Sequence, residues 1–176
     1  MNFAPRLENI RQASLPLFGP PSRSRVIKVS FGNIAQLTTW DDEFAHISIP
    51  WDSQANDIAI AFHLAHEYVH TLDPTPNGSA SVLEEGVATY FQHWYVVHSV
   101  ATSPSEKEMW RYPNEKDPAY KHAYELVAPI FQSSPLIFRS LRQSGFALSN
   151  ITAQALKERV HMSHQSATAL TSKFQR

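Results

Sequence analysis

The sequence predicts an α+β domain with a small N-terminal β-sheet, a pair of helices in the middle of the chain and a helical C-terminal half. Three observations carry this prediction. Strand-like alternation is confined to the segments before Pro50. Beyond it, apolar residues recur at steps of three and four, the spacing of helices that cover a core. At 176 residues, 43% of them hydrophobic, the chain is long enough for one domain with a sizeable core.

The first 24 residues hold Pro5, Pro16, Pro20 and Pro21 among Ser14, Ser22 and Ser24, and they read as a flexible arm. "RVIKVSF" (25–31) and "FAHISIP" (44–50) alternate as strands, "AQLTTW" (35–40) pairs between them, and Pro50 ends the last. Ser53 or Asn56 caps a helix that starts near 54–57, with Ile58, Phe62, Ala65, Val69 and Leu72 as its buried stripe. "DPTPNG" (73–78) breaks that helix, and a second runs from about Ser81 to Ser99. Residues 102–117 read as a polar loop, and Pro118 opens a third helix that continues to about residue 128. A fourth covers 134–145 and stops at Gly145. The main domain thus spans 25–148, and 149–176 form a helical tail of two short helices joined near Met162–Ser163.

Composition narrows the function. Fifteen basic and 16 acidic residues, net −1, argue against a general nucleic-acid or membrane binder. The chain has no cysteine, so any metal must be held by His, Asp or Glu. The longest apolar stretch, "VATYFQHWYVVHSVA", is interrupted by Gln92, His93 and His98 and is too short to span a bilayer. With no leader-like apolar run at the N-terminus, the expectation is a soluble, cytoplasmic protein. Between Val29 and Glu106 there is no Lys or Arg, although Asp41, Asp42, Glu43, Asp52, Asp57, Glu67, Asp73, Glu84 and Glu85 all fall there. Such a stretch suits a dication, and it also suits an ordinary solvated acidic surface.

The chemistry concentrates in "AFHLAHEYVHTLD" (61–73). At about 100° per residue, His66 and His70 project in the same direction one turn apart, beside the apolar stripe, while Glu67 lies further round. Two imidazoles so placed can share one tetrahedral ion, and the intervening glutamate reaches a water on that ion. Zinc needs a third protein ligand, which "SVLEEGVATYF" (81–91) offers as Glu84 or Glu85. Ser81 and Glu84 fit a capping box, leaving Glu85 the preferred ligand, and Gly86 would let the backbone approach the first helix closely. His63 is an alternative ligand or a packed residue, His93 a residue behind the ligands, and His46 and His98 ordinary strand or surface histidines.

"HEYVH" followed after 14 residues by Glu85 of "EEGVA" resembles the gluzincin branch of the zincin metallopeptidases. The resemblance implies a zincin-like fold, Zn2+ held by His66, His70 and Glu85, and Glu67 as general base in hydrolysis of a protein or peptide substrate. The exopeptidase G-x-M-E-N segment of the branch's aminopeptidases is absent, which points to an endopeptidase. "YKHA" loosely resembles the helix whose opening tyrosine steadies the oxyanion in those enzymes, making Tyr120 the candidate, with His122 and Tyr124 behind it. "EGVATYF" also fits the E-x-x-A-x-x-F of the ImmA/IrrE-type metallopeptidases, which act on repressors and carry a small helical tail. The tail here resembles a helix-turn-helix in the spacing of Ala155, Leu156, Val160, Met162, Ala167 and Leu170. Only Lys173 on its second half suits a phosphate, so a packing or substrate-presenting role is expected ahead of DNA binding. A catalytically silent zincin fold used for binding, with or without zinc, and a small DNA-binding regulator whose tail does the work are the other readings.

Overall fold

The computed structural model describes residues 1–41, 43–74, 80–113 and 117–175. It is a mixed α+β fold, mostly helical, with one three-stranded sheet. The expected break at 73–78 lies largely outside the described residues.

The N-terminal segment is not an arm. Residues Ala4–Phe18 form helix α1, whose Pro5 sits in the first turn, where a missing N–H costs nothing. Ile10, Ser14 and Phe18 follow at one-turn spacing and are all buried. The Phe18 ring packs edge-on against Phe91 at 5.3 Å and Phe131 at 6.1 Å. Pro16 falls in the last turn and does not stop the helix sooner, so counting prolines as breakers misread the segment.

The sheet order also departs from expectation. Strands β1 (Val26–Gly32), β2 (Gln36–Trp40) and β3 (Phe44–Pro50) run in the order β1-β3-β2, with β3 parallel to β1 and antiparallel to β2. The strand carrying Ala45, Ile47 and Ile49, all fully buried, takes the centre, because only there are both its neighbours protein. No peptide can therefore add to β3, and the open edges belong to β1 and β2.

Helix α2 (Asp57–Leu72) starts where Asn56 Oδ1 accepts from the amides of Ile58 and Ala59, at 3.0 and 3.1 Å. Of the predicted stripe, Ala65, Val69 and Leu72 are buried in the core while Ile58 and Phe62 are half-buried, and the buried face widens to take in Ile60, Ala61, Leu64 and Tyr68. Helix α3 (Val82–Tyr95) packs along α2 on one side and along α5 (Pro118–Ser133) on the other. The expected polar loop contains α4 (Pro104–Met109), started by a complete capping box of Ser103 and Glu106. Helix α6 (Ile137–Gln143) is followed by Gly145 at φ +90°. Arg142 joins α6 to the rest, donating to the Asp73 carboxylate and to the Phe18 and Leu72 carbonyls.

The tail forms α7 (Ala153–Val160) and α8 (His164–Thr171), joined through His161 in the left-handed region. Its Ala155, Leu156, Ala167 and Leu170 are buried in the common core. The last residues are tied to the start of α3, with Val82 N donating to Ser172 O and Phe174 N to Ala80 O. No helix among the described residues is long and apolar enough to cross a membrane.

If residues 1–18 are part of the core, Phe18→Ala should destabilise by about 3–5 kcal/mol, the range for a buried aromatic truncated to alanine. Urea unfolding measures this. A change within about 0.5 kcal/mol, the behaviour of an exposed position, would restore the arm reading.

Candidate metal centre

The capped start of α2 fixes the angular positions of His66 and His70, and the Ser81 cap does the same for α3. There Ser81 Oγ accepts from Glu84 N at 3.1 Å. The two helices then bring three side chains together. His66 Nε2 lies 3.3 Å from His70 Nε2 and 3.2 Å from Glu85 Oε2, and His70 Nε2 lies 3.7 Å from Glu85 Oε1. One ligand atom from each residue falls within 4.8 Å of the other two.

These separations fit a tetrahedral ion. Two ligand atoms about 2.0–2.1 Å from a shared zinc at the tetrahedral angle sit roughly 3.3 Å apart. The donor set, two imidazoles and a carboxylate, suits zinc and leaves a fourth position open.

Glu84 is not the reciprocal partner of a capping box. Its carboxylate turns away from the Ser81 amide and accepts from His70 Nδ1 at 2.9 Å, while its Oε2 is buried without a partner. The Nδ1–H bond to Glu84 turns Nε2 of His70 towards the cluster, the orientation a metal-ligating histidine needs once its Nε2 proton has left. The sequence offered no clue to this, because an S-x-x-E pattern already accounted for Glu84 locally.

The charges reinforce one another. Burial disfavours a charged His70, but Glu85 and Glu84 more than offset it and raise its pKa well above the usual histidine range. Burial alone would raise Glu85, yet His70 and His66 hold it well below the usual carboxylate range. Glu67, only 4% exposed, is pushed up, chiefly by burial, against the pull of His66 and His70. The backbone amide of Leu37 on β2 also reaches it and favours its charged form.

Beside the cluster opens a cleft of about 410 Å³, lined by His66 and Glu67 together with Phe62 and His63 of α2, Thr89 and His93 of α3, and Tyr120. The Tyr120 ring meets that of His66 edge-on at 5.7 Å, and Phe174 of the tail lies 5.0 Å behind it. Tyr124 instead sits against Tyr90 and His93, each at 5.8 Å, and its phenol is pushed up to about 12, mainly by burial. His122 is exposed and does not line the cleft. His63 borders the cleft but lies outside the ligand cluster. His93 Nδ1 donates to the Trp110 carbonyl at 2.6 Å. His46 bonds Ser30 in the sheet and His98 the Trp94 carbonyl, both away from the cleft. Gly86 serves a different neighbour from the one expected: a Cβ there would fall 2.5 Å from Ala123 O and 2.6 Å from Val127 Cγ2, so it admits α5, not α2.

Comparison of the chain with family models, curated proteins and solved structures finds no match.

Two expectations follow from this geometry. Glu84→Gln should weaken zinc binding by about 10–100-fold, the usual effect of losing a carboxylate behind a ligating histidine, and Glu85→Gln by more. Competition with a chromophoric chelator reads both, and unchanged affinity in the Glu84 variant would remove it from the centre. The second concerns acid. Burial lowers His63 and His93 from 6.5 to about 4. Between those values the unfolded chain takes up protons at these sites that the folded chain does not, so they withdraw stability as pH falls from 6.5 towards 4. His93→Gln should flatten the wild-type decline by up to about 1.4 kcal/mol per pH unit, measured by urea unfolding, and parallel curves would refute the assignment.

Proposed function

We propose that this chain is a zinc-dependent metallopeptidase of gluzincin-like build that cleaves internal peptide bonds of a protein or peptide substrate. The observation that carries the proposal is the convergence of His66 Nε2, His70 Nε2 and the Glu85 carboxylate beside the buried Glu67, which lines the same cleft as His66. Zinc held there supplies Lewis-acid polarisation of a carbonyl and makes water reactive near neutral pH.

The remaining steps belong to the protein. Glu67 accepts the proton of the attacking water, and burial, which holds its carboxyl above the usual range, equips it to pass that proton to the leaving amine. Tyr120, packed against His66 at the cleft wall, donates its hydroxyl to the carbonyl oxygen as charge builds there. Glu84 holds His70 in one tautomer and orientation. Because β3 is paired on both sides, an extended substrate adds to the free edge of β2, next to the 33–35 turn that borders the cleft. The tail supports the site by packing instead of reading nucleic acid, and Phe174 buttresses Tyr120.

The test uses zinc-loaded protein and an unfolded protein substrate. Glu67→Gln should lower kcat by about 10²–10⁴-fold, the span of a general base, with one zinc per chain retained. Tyr120→Phe should cost about 10²-fold in kcat, as for one oxyanion donor. Turnover by Glu67→Gln at the wild-type rate, or failure of the wild type to hold zinc, would overturn the proposal.

A further inference from the structure

The cleft beside the metal cluster carries charge of one sign. Of the described residues that line it, Asp52, Glu67 and Asp117 bear carboxyl groups and none is Lys or Arg. Burial keeps His63 and His93, which also line it, uncharged near neutral pH. The imbalance has its origin in the sequence. The stretch from Val29 to Glu106 supplies most of the lining and has no basic residue, although the whole chain is nearly neutral at −1. A cleft lined in this way attracts cations.

The three carboxyl groups differ in their surroundings. Glu67 is buried and belongs to the proposed chemistry, whereas Asp52 and Asp117 are exposed. Asp52 stands in the turn Trp51–Ala55 that leads from β3 towards α2, and its charge is felt at His63 on the cleft wall. Asp117 takes the cap position of α5, three residues ahead of Tyr120, yet its side chain accepts nothing from the helix. An aspartate so placed usually accepts from the first-turn amides. Neither aspartate takes part in an ion pair among the described residues. The carboxylates of Glu84 and Glu85 already match the two charges of a zinc ion at the cluster, so Asp52 and Asp117 stay uncompensated.

The other lining narrows the choice of cation. Ile34, Pro50, Phe62 and Pro113 give the cleft apolar wall. A lysine or arginine side chain matches both features, because its methylene stem covers apolar surface while its charged end stays hydrated beside carboxylates. An acidic side chain would meet like charge at the same place.

We infer that Asp52 and Asp117 make the cleft selective for a substrate with a basic side chain, lysine or arginine, close to the scissile bond. The inference rests on the metallopeptidase reading, which makes this cleft the place of the substrate.

A binding series tests it without relying on turnover. N-acetylated dipeptide hydroxamates, which grip zinc directly, would carry lysine, glutamine, leucine or glutamate as the varied side chain, at the first or the second position. Calorimetry would give their affinities for zinc-loaded wild type, Asp52→Asn, Asp117→Asn and the double variant. Both aspartates are exposed and cap no helix, so the variants should keep the fold, and thermal unfolding checks this. At one of the two positions the lysine compound should bind the wild type about five- to tenfold more tightly than the glutamine compound, the size of two solvated ion pairs. The glutamate compound should bind least tightly, and raising the salt should shrink the lysine preference. Each single variant should lose part of that preference and the double variant all of it, with the glutamine compound bound as before. Mere loosening of the structure would weaken both compounds together. Equal binding of lysine and glutamine compounds at both positions, or a lysine preference that survives in the double variant, would overturn the inference and leave the metal centre standing. So would a leucine compound with a free amine that binds as tightly as the lysine compound, since the aspartates would then receive a chain terminus. Failure of every hydroxamate to bind the zinc-loaded protein would overturn the metallopeptidase reading, and the selectivity with it.

Discussion

The structure depends on one arrangement: two helices that bury His66, Glu67, Glu84 and Glu85 at their contact, with His70 all but enclosed beside them. Removing carboxylates from water costs several kcal/mol each unless positive charge is close by. Here that positive charge is first a proton. Glu84 and Glu85 hold it on His70 against the burial that would remove it, and it in turn keeps Glu85 ionised. Among the described residues no Lys or Arg is paired with these carboxylates, and between Val29 and Glu106 the chain offers none. A cluster neutralised by a mobile proton, and not by a tethered ammonium, can exchange that proton for a dication. Metal taken up there would be bound in a pH-linked way, because His70 would have to give up the Nε2 proton before Nε2 could ligate.

The remainder of the fold serves to keep the two helices in place. The sheet covers α2 through β3, whose central position makes it the stiffest available support. From the opposite side α5 presses on α3, and it comes so close at Gly86 that a single methyl would meet Ala123 O at 2.5 Å. That approach carries Tyr120 to the face of the cluster. Phe174 then backs Tyr120, and the bonds between residues 172–174 and 80–82 fasten the chain's end to the first turn of α3. The N-terminal helix reaches the same core through Phe18, which touches both α3 and α5. Elements that look like appendages along the chain are thus walls of one structure.

What could be read from sequence were the features set by neighbours in the chain. Asn56 and Ser81 cap helices as their residue types predict, and Gly145 sits just past a helix with positive φ. The H-E-x-x-H spacing puts two imidazoles on one side of a helix whatever packs around it. Features that depend on distant partners were not legible. Strand order is one: alternation marks strands, but β3 takes the centre because the rest of the core covers it. Glu84 is another, since its local pattern matched a cap, while its partner His70 is 14 residues away on another helix. Proline content misled at residues 4–18, where the buried turn-spaced positions Ile10, Ser14 and Phe18 carried more weight than Pro5 and Pro16.

The central place of β3 has a further consequence for how the cleft is used. The edge next to the cleft is β2, and its pairing with β3 is irregular between Leu37 and Thr39. An irregularity of this kind twists a strand and redirects its amides. One of them, that of Leu37, reaches Glu67. The edge strand beside the cleft therefore also contributes to the electrostatics of Glu67. Burial works in the opposite direction and keeps the carboxyl protonated more readily.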